Sequence, residues 1–278
     1  MPSFGGACEG LVQTDPMRTE VISEPGDPAR PNEDFAAVGL PACGQGGCVI
    51  ALDGVTPPES GTGCEHSVPW FTARLGGALA ELTVSDRDLT LPEILARAIS
   101  RTADAHAQTC DLSHPRTPQA TVVLARWSAA RVEYLVLSDS ALLLESPDGT
   151  VTPVLDDRLS RVPRSLLISD AVADATVRNK EGGFFTAAAD PSAASRAVTG
   201  TLPRREVRAL AALTDGAARW VEKFGAGEWA DCLALVRKEG ARALIDRVRT
   251  LETADRDERA FLRRGKTHDD ATVVYAEL

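Results

Sequence analysis

The stretch Cys48-Val-Ile-Ala-Leu-Asp53-Gly54-Val-Thr-Pro57 decides how the rest of the chain is read. Val49, Ile50, Ala51 and Leu52 form a short apolar run with β-branched residues, the pattern of a buried strand. The run stops at an acidic residue followed by glycine. A carboxylate at the end of a buried strand is held rigidly while facing the rim of its sheet, where a ligand can reach it. The glycine lets the backbone turn and lets a ligand come close to its carbonyl. A rigid carboxylate beside an accessible carbonyl oxygen suits a hard divalent cation. On its own, Asp-Gly is equally the signature of an ordinary turn.

The same pattern recurs. Tyr134-Leu-Val-Leu-Ser-Asp139-Ser140 and Leu210-Ala-Ala-Leu-Thr-Asp215-Gly216 are apolar runs that end in an aspartate. Thr267-His-Asp269-Asp270 precedes the strand-like Ala271–Ala276, and Asn32-Glu33-Asp34 precedes Phe35–Val38. One such acidic cluster is a turn. Five, spread along the chain, predict strands that bring their carboxylates to one point.

Composition bounds what this point serves. The chain has 278 residues, 44% hydrophobic and 25% charged, the balance of a globular protein with a core that needs no disulfides. A net charge of −10 argues against nucleic acid or an anionic membrane as the main partner. No signal-peptide pattern opens the sequence and no apolar run reaches membrane-span length, so the expected location is the cytoplasm. Arginine exceeds lysine and alanine is abundant, a composition of GC-rich bacteria. Six cysteines are present at 8, 43, 48, 64, 110 and 232. None pair as C-x-x-C and no Cys/His spacing reads as a zinc site, so they are expected to be reduced thiols. The group Cys43, Cys48 and Cys64 keeps a disulfide or soft-metal alternative open.

Residues 1–20 read as a loose lead-in and Glu20–Ser23 as a first short strand. Strands Phe35–Leu40 and Gly47–Leu52 suggest a hairpin. Two helices follow. Trp70–Leu82 has Phe71, Leu75, Ala78, Leu79 and Leu82 on one face. The second opens on the capping-box pattern Thr90-Leu-Pro-Glu93 and continues through Ile94, Leu95, Ala98 and Ile99. Ala120–Trp127, Arg131–Leu137 and Ala141–Glu145 predict a β-meander, followed by Val151–Val154. Residues 156–195 are irregular apart from a predicted helix over Ser160–Ala171, and read as an insertion over the sheet edge. Arg196–Thr199, Val207–Leu213 and Ala271–Ala276 predict strands; Trp220–Lys223, Trp229–Lys238 and Arg242–Leu251 predict helices. Trp70, Trp220 and Trp229 fall at helical positions as core anchors, and Asp255–Arg264 as a solvated charge run. Strands in runs with helix pairs between them favour an α+β fold with antiparallel sheets.

In order, Asn32-Glu-Asp34, Ala51-Leu-Asp-Gly54, the Ala120-Thr-Val-Val strand, Ser138-Asp-Ser140, Thr214-Asp-Gly216 and Asp269-Asp-Ala-Thr-Val-Val274 resemble the metal-dependent (type 2C) protein serine/threonine phosphatase family, and most closely its bacterial branch. The resemblance runs from about Val21 to the C-terminus. It implies one phosphatase-like domain over 21–278 with a flap at about 156–195, folded as an α-β-β-α sandwich of two antiparallel sheets flanked by helix pairs. It implies two Mn²⁺ or Mg²⁺ ions: Asp53 bridging both, the Gly54 carbonyl adding an oxygen, Asp215 and Asp269 on the first ion and Glu33 on the second. Asp139 matches the position that, with the Asp215 equivalent, holds a third ion in many bacterial members. Asp34 and Asp270 support these ligands from behind. The implied activity is hydrolysis of phosphoserine and phosphothreonine on proteins by metal-activated water. No C-x₅-R loop or G-x-S-x-G elbow offers a side-chain nucleophile. The chain departs from the family in three places, one of them Asp270, which stands where members often have asparagine. Arg30 stands three residues before Glu33, where members carry a phosphate-binding arginine four before, and Val55 follows Asp-Gly where eukaryotic members have histidine. His66 reads as a surface or helix-cap residue or a nearby acid, His268 as a loop residue or a support for Asp269, and Ser140 as a turn residue bonding the backbone. The displaced Arg30 and irregular 156–195 segment keep a second reading open: a catalytically weak pseudophosphatase acting as a regulatory binding module.

Overall fold

The structure is a computed structural model, and it describes residues 17–41, 46–57, 61–85, 88–258 and 267–278. Two five-stranded antiparallel sheets stack face to face. In sheet A the strands β1 (Thr19–Glu24), β6 (Ala141–Glu145), β7 (Val151–Leu155), β9 (Ala209–Leu213) and β10 (Ala271–Glu277) lie in the order β1-β10-β9-β6-β7. In sheet B, β2 (Phe35–Gly39), β3 (Gly47–Leu52), β4 (Val122–Trp127), β5 (Arg131–Leu137) and β8 (Val198–Pro203) lie in sequence order.

Helices α1 (Val68–Ser85) and α2 (Leu91–Asp104) cover the outer face of sheet B. Helices α6 (Trp229–Glu239) and α7 (Ala241–Glu258), with the short α5 (Asp215–Glu222) beside them, cover sheet A. The inner strands therefore touch a helix layer on one face and the other sheet on the other. This is why β3, β4, β6 and β9 are buried at every residue and read as continuous apolar runs instead of alternating. Val49, Ala51 and Val123 from sheet B meet Leu142, Leu210 and Val274 from sheet A in the central layer. Ile50, Leu52 and Leu124 point the other way, into Phe71, Leu75, Ile94 and Ile99.

α2 starts as its sequence predicts. The Thr90 side chain accepts from the Glu93 N–H, and Glu93 reaches back to the Thr90 N–H at 2.8 Å. No helix among the described residues is long and apolar enough to cross a membrane.

Two expectations fail. The meander breaks after its second strand: β4 and β5 pair, but β6 belongs to sheet A, so the chain crosses between sheets at Ser138-Asp139-Ser140. The crossing uses a left-handed backbone at Ser138 (φ 70°), whose N–H donates to Asp156 Oδ2 at 2.8 Å. The helix expected over Ser160–Ala171 is instead two short helices, α3 (Arg158–Arg161) and α4 (Asp170–Thr176), with a 3₁₀ turn at Arg164–Leu166 between them. Pro163 breaks the run, since a proline disfavours helical backbone at the residue before it. Within 156–195, Val162, Ala173, Val177 and Phe184 form a small core of their own. Arg116 ties the segment down through Asp174 at 2.6 Å, and Ala187 exchanges two backbone hydrogen bonds with Ala120 at 2.8 and 2.9 Å.

Candidate metal centre

Strand registers put the acidic segments at one edge of the sandwich. Phe35 pairs with Leu52, so Glu33 and Asp34 sit beside Asp53. Val273 pairs with Leu213, so Asp269 and Asp270 sit beside Asp215. Ala141 also pairs with Leu213, which brings the crossing residue Asp139 to the same edge. Two glycines record how closely these segments approach. A Cβ on Gly54 would lie 2.5 Å from the Glu33 carbonyl oxygen, and one on Gly216 would lie 2.0 Å from that of Asp270. Neither position accepts a side chain without moving backbone.

The carboxylates act on one another. Burial pushes the Asp53 carboxyl well above the usual carboxylate range, and the charges of Asp215, Asp34, Asp139 and Asp269 push it further. Asp215 is raised to about 7, by burial and then by Asp139 and Asp269, against the pull of Arg219. Asp34 is raised to about 7 as well, by burial first and by Asp270 and Asp269, although Thr272 and Thr214 hydroxyls oppose this. Asp139 is raised by burial, with Asp156 adding to the shift and Arg178 opposing it.

Side chains around the cluster fix it in place. Thr214 donates to Asp34 Oδ2 at 2.9 Å, leaving the buried Asp34 Oδ1 with no hydrogen-bond partner. Thr56 donates to Glu33 Oε2 at 2.5 Å. Asp270 accepts from the Gly26 and Glu33 backbone N–H groups at 2.8 and 2.6 Å. Ser140 bonds the Thr121 hydroxyl at 2.6 Å, not the backbone as expected, and Thr121 in turn accepts from the Asp53 N–H at 3.2 Å. Arg30 is exposed and lines a cavity of about 340 Å³ together with Glu33, His268 and Asp270.

Sequence reasoning missed the support behind Asp269. Arg219 donates to Asp269 Oδ2 at 2.5 Å and to Glu252 Oε1 at 2.6 Å. Glu252, 1% exposed, also accepts from Arg249 at 2.8 Å and meets His268 Nδ1 at 2.8 Å. His268 thus joins the network that holds Asp269, the residue next to it. The signal for Arg219 was present: it follows Asp215 by four residues, one turn along α5.

The cysteines described at 48, 64, 110 and 232 are free thiols, as expected, whereas the alternative grouping of Cys48 with Cys64 is corrected. Cys48 is buried in β3, away from Cys64, and Cys43 lies outside the described residues. Cys64 instead meets Cys110, His66 and His106, so His66 is neither a helix cap nor an acid at the carboxylates. Trp70 lies against His66 with ring centroids 3.9 Å apart, so it serves this cluster besides its packing on α1 and α2. Of the charge run 255–264, Asp255 pairs with Lys223 at 3.3 Å; residues 259–264 lie outside the described residues.

A half-buried set of mutually repelling carboxylates, one with an unpartnered oxygen, beside a glycine carbonyl, fits hard divalent cations with oxygen ligands. An acid whose folded pKa exceeds its unfolded value of about 4 takes up a proton on folding. Stability then falls as pH rises from about 4 through about 7. Without added metal the protein should therefore lose stability over this range. At pH 7.5, Mn²⁺ at about 100 times its Kd should restore about 2.7 kcal/mol, or roughly 5–10 °C in Tm, and less at pH 5. Thermal melts at the two pH values test this; a chain most stable at pH 7.5 and indifferent to Mn²⁺ would contradict the fit.

Comparison with known proteins gives a consistent result. The family model described as Protein phosphatase 2C matches residues 29–263. No curated protein sequence matches the chain. Among solved structures, the serine/threonine phosphatase Stp1 from Staphylococcus aureus superposes with a TM-score of 0.58 at 12% identity, covering 95% of this chain and 96% of that one. The S. agalactiae serine/threonine phosphatase gives 0.59 at 13% identity, with 94% and 99% covered. The Mycobacterium tuberculosis phosphatase PstP/Ppp gives 0.57 at 19% identity, with 94% and 98% covered. The PstP catalytic domain solved in complex with two manganese ions gives 0.54 at 20% identity, with 94% and 97% covered. At these identities the structural likeness speaks for the fold.

Proposed function

The chain belongs to the protein phosphatase 2C family, and from that premise we propose that it is a divalent-metal-dependent phosphatase acting on phosphoserine and phosphothreonine in proteins. The observation that carries this reading is the convergence of acidic residues from both sheets, in which four other carboxylates bear on Asp53. Asp53, Asp215 and Asp269 would hold one Mn²⁺ or Mg²⁺, and the Gly54 carbonyl beside Asp53 would add an oxygen to the centre. Asp53, with Glu33, would hold a second, and Asp139 with Asp215 a third. Bound there, such ions supply Lewis-acid polarisation of phosphoryl oxygens and water of lowered pKa.

The chain's own residues do the rest. Asp34, with one oxygen tied to Thr214 and the other unpartnered, is placed to accept a hydrogen bond from attacking water and orient it. Arg219 holds Asp269 in one rotamer and partly offsets the charge of Asp215. Asp270 fixes the backbone of Glu33, and so sets where that side chain points. Arg30, at the mouth of the cavity beside Glu33, is the group for the incoming phosphate. We read residues 156–195 as a flap, because their charges reach the site: Asp156 and Arg178 both act on Asp139.

The test is hydrolysis of para-nitrophenyl phosphate and a phosphothreonine peptide with Mn²⁺, with Mg²⁺ and with EDTA. Turnover with metal that EDTA abolishes is expected. Arg30→Ala should raise KM by about tenfold, roughly one charge-assisted hydrogen bond, with a smaller change in kcat. No turnover in a folded protein shown to carry Mn²⁺ would overturn the enzymatic reading and leave a regulatory binding module.

A further inference from the structure

Outside the carboxylate edge, Cys64, His66, His106 and Cys110 bring four ligand atoms within 4.8 Å of one another. The two halves come from different places. Cys64 and His66 lie in the loop that enters α1, and His106 and Cys110 in the turn that leaves α2. α1 and α2 form a helical hairpin, so the start of one and the end of the other share an end of the layer.

Each imidazole nitrogen lies close to a cysteine sulfur. His106 Nδ1 lies 3.3 Å from Cys64 Sγ, and His66 Nδ1 lies 3.4 Å from Cys110 Sγ and 3.8 Å from Cys64 Sγ. The sulfurs are 2.8 Å apart. A tetrahedral zinc, about 2.3 Å from each sulfur and about 2.0 Å from each nitrogen, sets nitrogen–sulfur edges of about 3.5 Å and would spread the sulfurs to about 3.8 Å.

The surroundings are those of a thiolate metal site. The Glu65 N–H donates to Cys110 Sγ at 3.3 Å and the His66 N–H to Cys64 Sγ at 3.4 Å. Burial works against ionisation of Cys110, but its hydrogen bonds with Cys64, His66, Thr109 and Glu65 outweigh it and bring the thiol down to about 5. Burial, and then Cys110, push Cys64 up to about 11. A bound dication would favour both sulfurs as thiolates. His106 is 2% exposed and its Nε2 has no partner, so the ring's one polar contact is made through Nδ1, toward the sulfurs. Trp70 screens the group from solvent, 3.9 Å from His66 and 5.3 Å from His106 between ring centroids.

We propose that Cys64, His66, His106 and Cys110 form a structural zinc site. Two sulfurs and two imidazoles select a borderline-soft tetrahedral ion over the hard ions that suit the carboxylate edge. Four protein ligands leave no open position, so the ion serves structure and not hydrolysis. Its place defines its task. The loop from Asp53 to α1 is pinned at its start by the Val55 N–H to the Gln119 carbonyl at 2.9 Å and near its end by the Asp111 N–H to the Gly63 carbonyl at 2.7 Å. Zinc would tie the segment entering α1 to the turn leaving α2, at one end of the hairpin.

The test is elemental analysis of the full-length protein, purified without chelator and passed over a chelating resin, with its intact mass measured without reductant. About one zinc per chain is expected in the wild type and in Asp215→Asn, falling to near none in Cys64→Ser and in Cys110→Ser. Protein grown with cobalt should show a thiolate-to-cobalt absorption band, and this wild-type measurement decides the matter if the serine variants fail to fold. Folded wild type with neither zinc nor the cobalt band overturns the proposal. So does a mass two hydrogens short with Cys64 and Cys110 cross-linked, or zinc retained in both serine variants.

Discussion

Asp53→Asn should lower kcat/KM for Mn²⁺-dependent phosphopeptide hydrolysis by at least about 10³, because polarisation and water activation by the metal amount to several kcal/mol. It should do so without harming the fold. Asp53 is raised by its own burial and by the charges of Asp215, Asp34, Asp139 and Asp269. Replacing it with a neutral group of the same shape removes that repulsion. In the absence of added metal, Tm should therefore stay constant or rise. With Mn²⁺ present the order should invert, since the wild type gains binding energy that the variant has lost. Asp215→Asn should follow the same course. Activity assays and paired melts with and without Mn²⁺ check both halves. Near-wild-type activity in either variant would remove the proposed mechanism, and a lower metal-free Tm would show the carboxylates to be structural.

Glu252→Ala should be among the most damaging substitutions in the chain despite lying outside the proposed ligand set. Its side chain is fully buried and faces Arg219, Arg249 and His268. Truncation removes the counter-charge that Arg219 and Arg249 share, leaving Arg219 with Asp269 and Arg249 with Glu24, a loss of about 3 kcal/mol. That corresponds to a Tm lower by roughly 10 °C. Arg219 would then hold Asp269 without its own anchor, and Mn²⁺ affinity should weaken by about 10–100-fold. Melting curves and Mn²⁺ titration of the variant test this. Unchanged Tm and unchanged affinity would mean that the network is incidental to the site.

The parts legible in the sequence were those set by local physics. β3, β9 and β10 announce themselves as apolar runs because each lies between two buried layers, and the Thr90 capping box marks the start of α2 to the residue. The acidic residues were legible because each stands next to such a run. Features that depend on distant pairing were not. Ser138-Asp139-Ser140 looks like any hairpin turn; that it passes between sheets depends on β6 pairing with β9 and on Asp156, eighteen positions later. The Cys/His cluster is hidden for the same reason. Cys64-x-His66 and His106-x₃-Cys110 are separated by a whole helical hairpin, forty positions from His66 to His106, and only the packing of α1 on α2 joins them. Glu252 gives no local sign of holding Arg219 or His268. The broken helix at Pro163 was different, since the proline itself carried the information.

The position of β10 has a bearing on how the molecule comes into being. It fills the gap between β1 and β9, so Thr272 meets Ser23 across 249 residues of chain. Sheet B and its helical hairpin use residues 35–203 and can assemble while the chain is still being made. Sheet A cannot close until the segment up to residue 277 has left the ribosome. Loop closure over such a distance is slow. Refolding should therefore show an early phase that protects the amides of β3 and β4 from hydrogen exchange, and a later one that protects β1 and β9. The aspartates at 215 and 269 would come together only in that later phase, so the proposed metal centre would form only once β10 is in place.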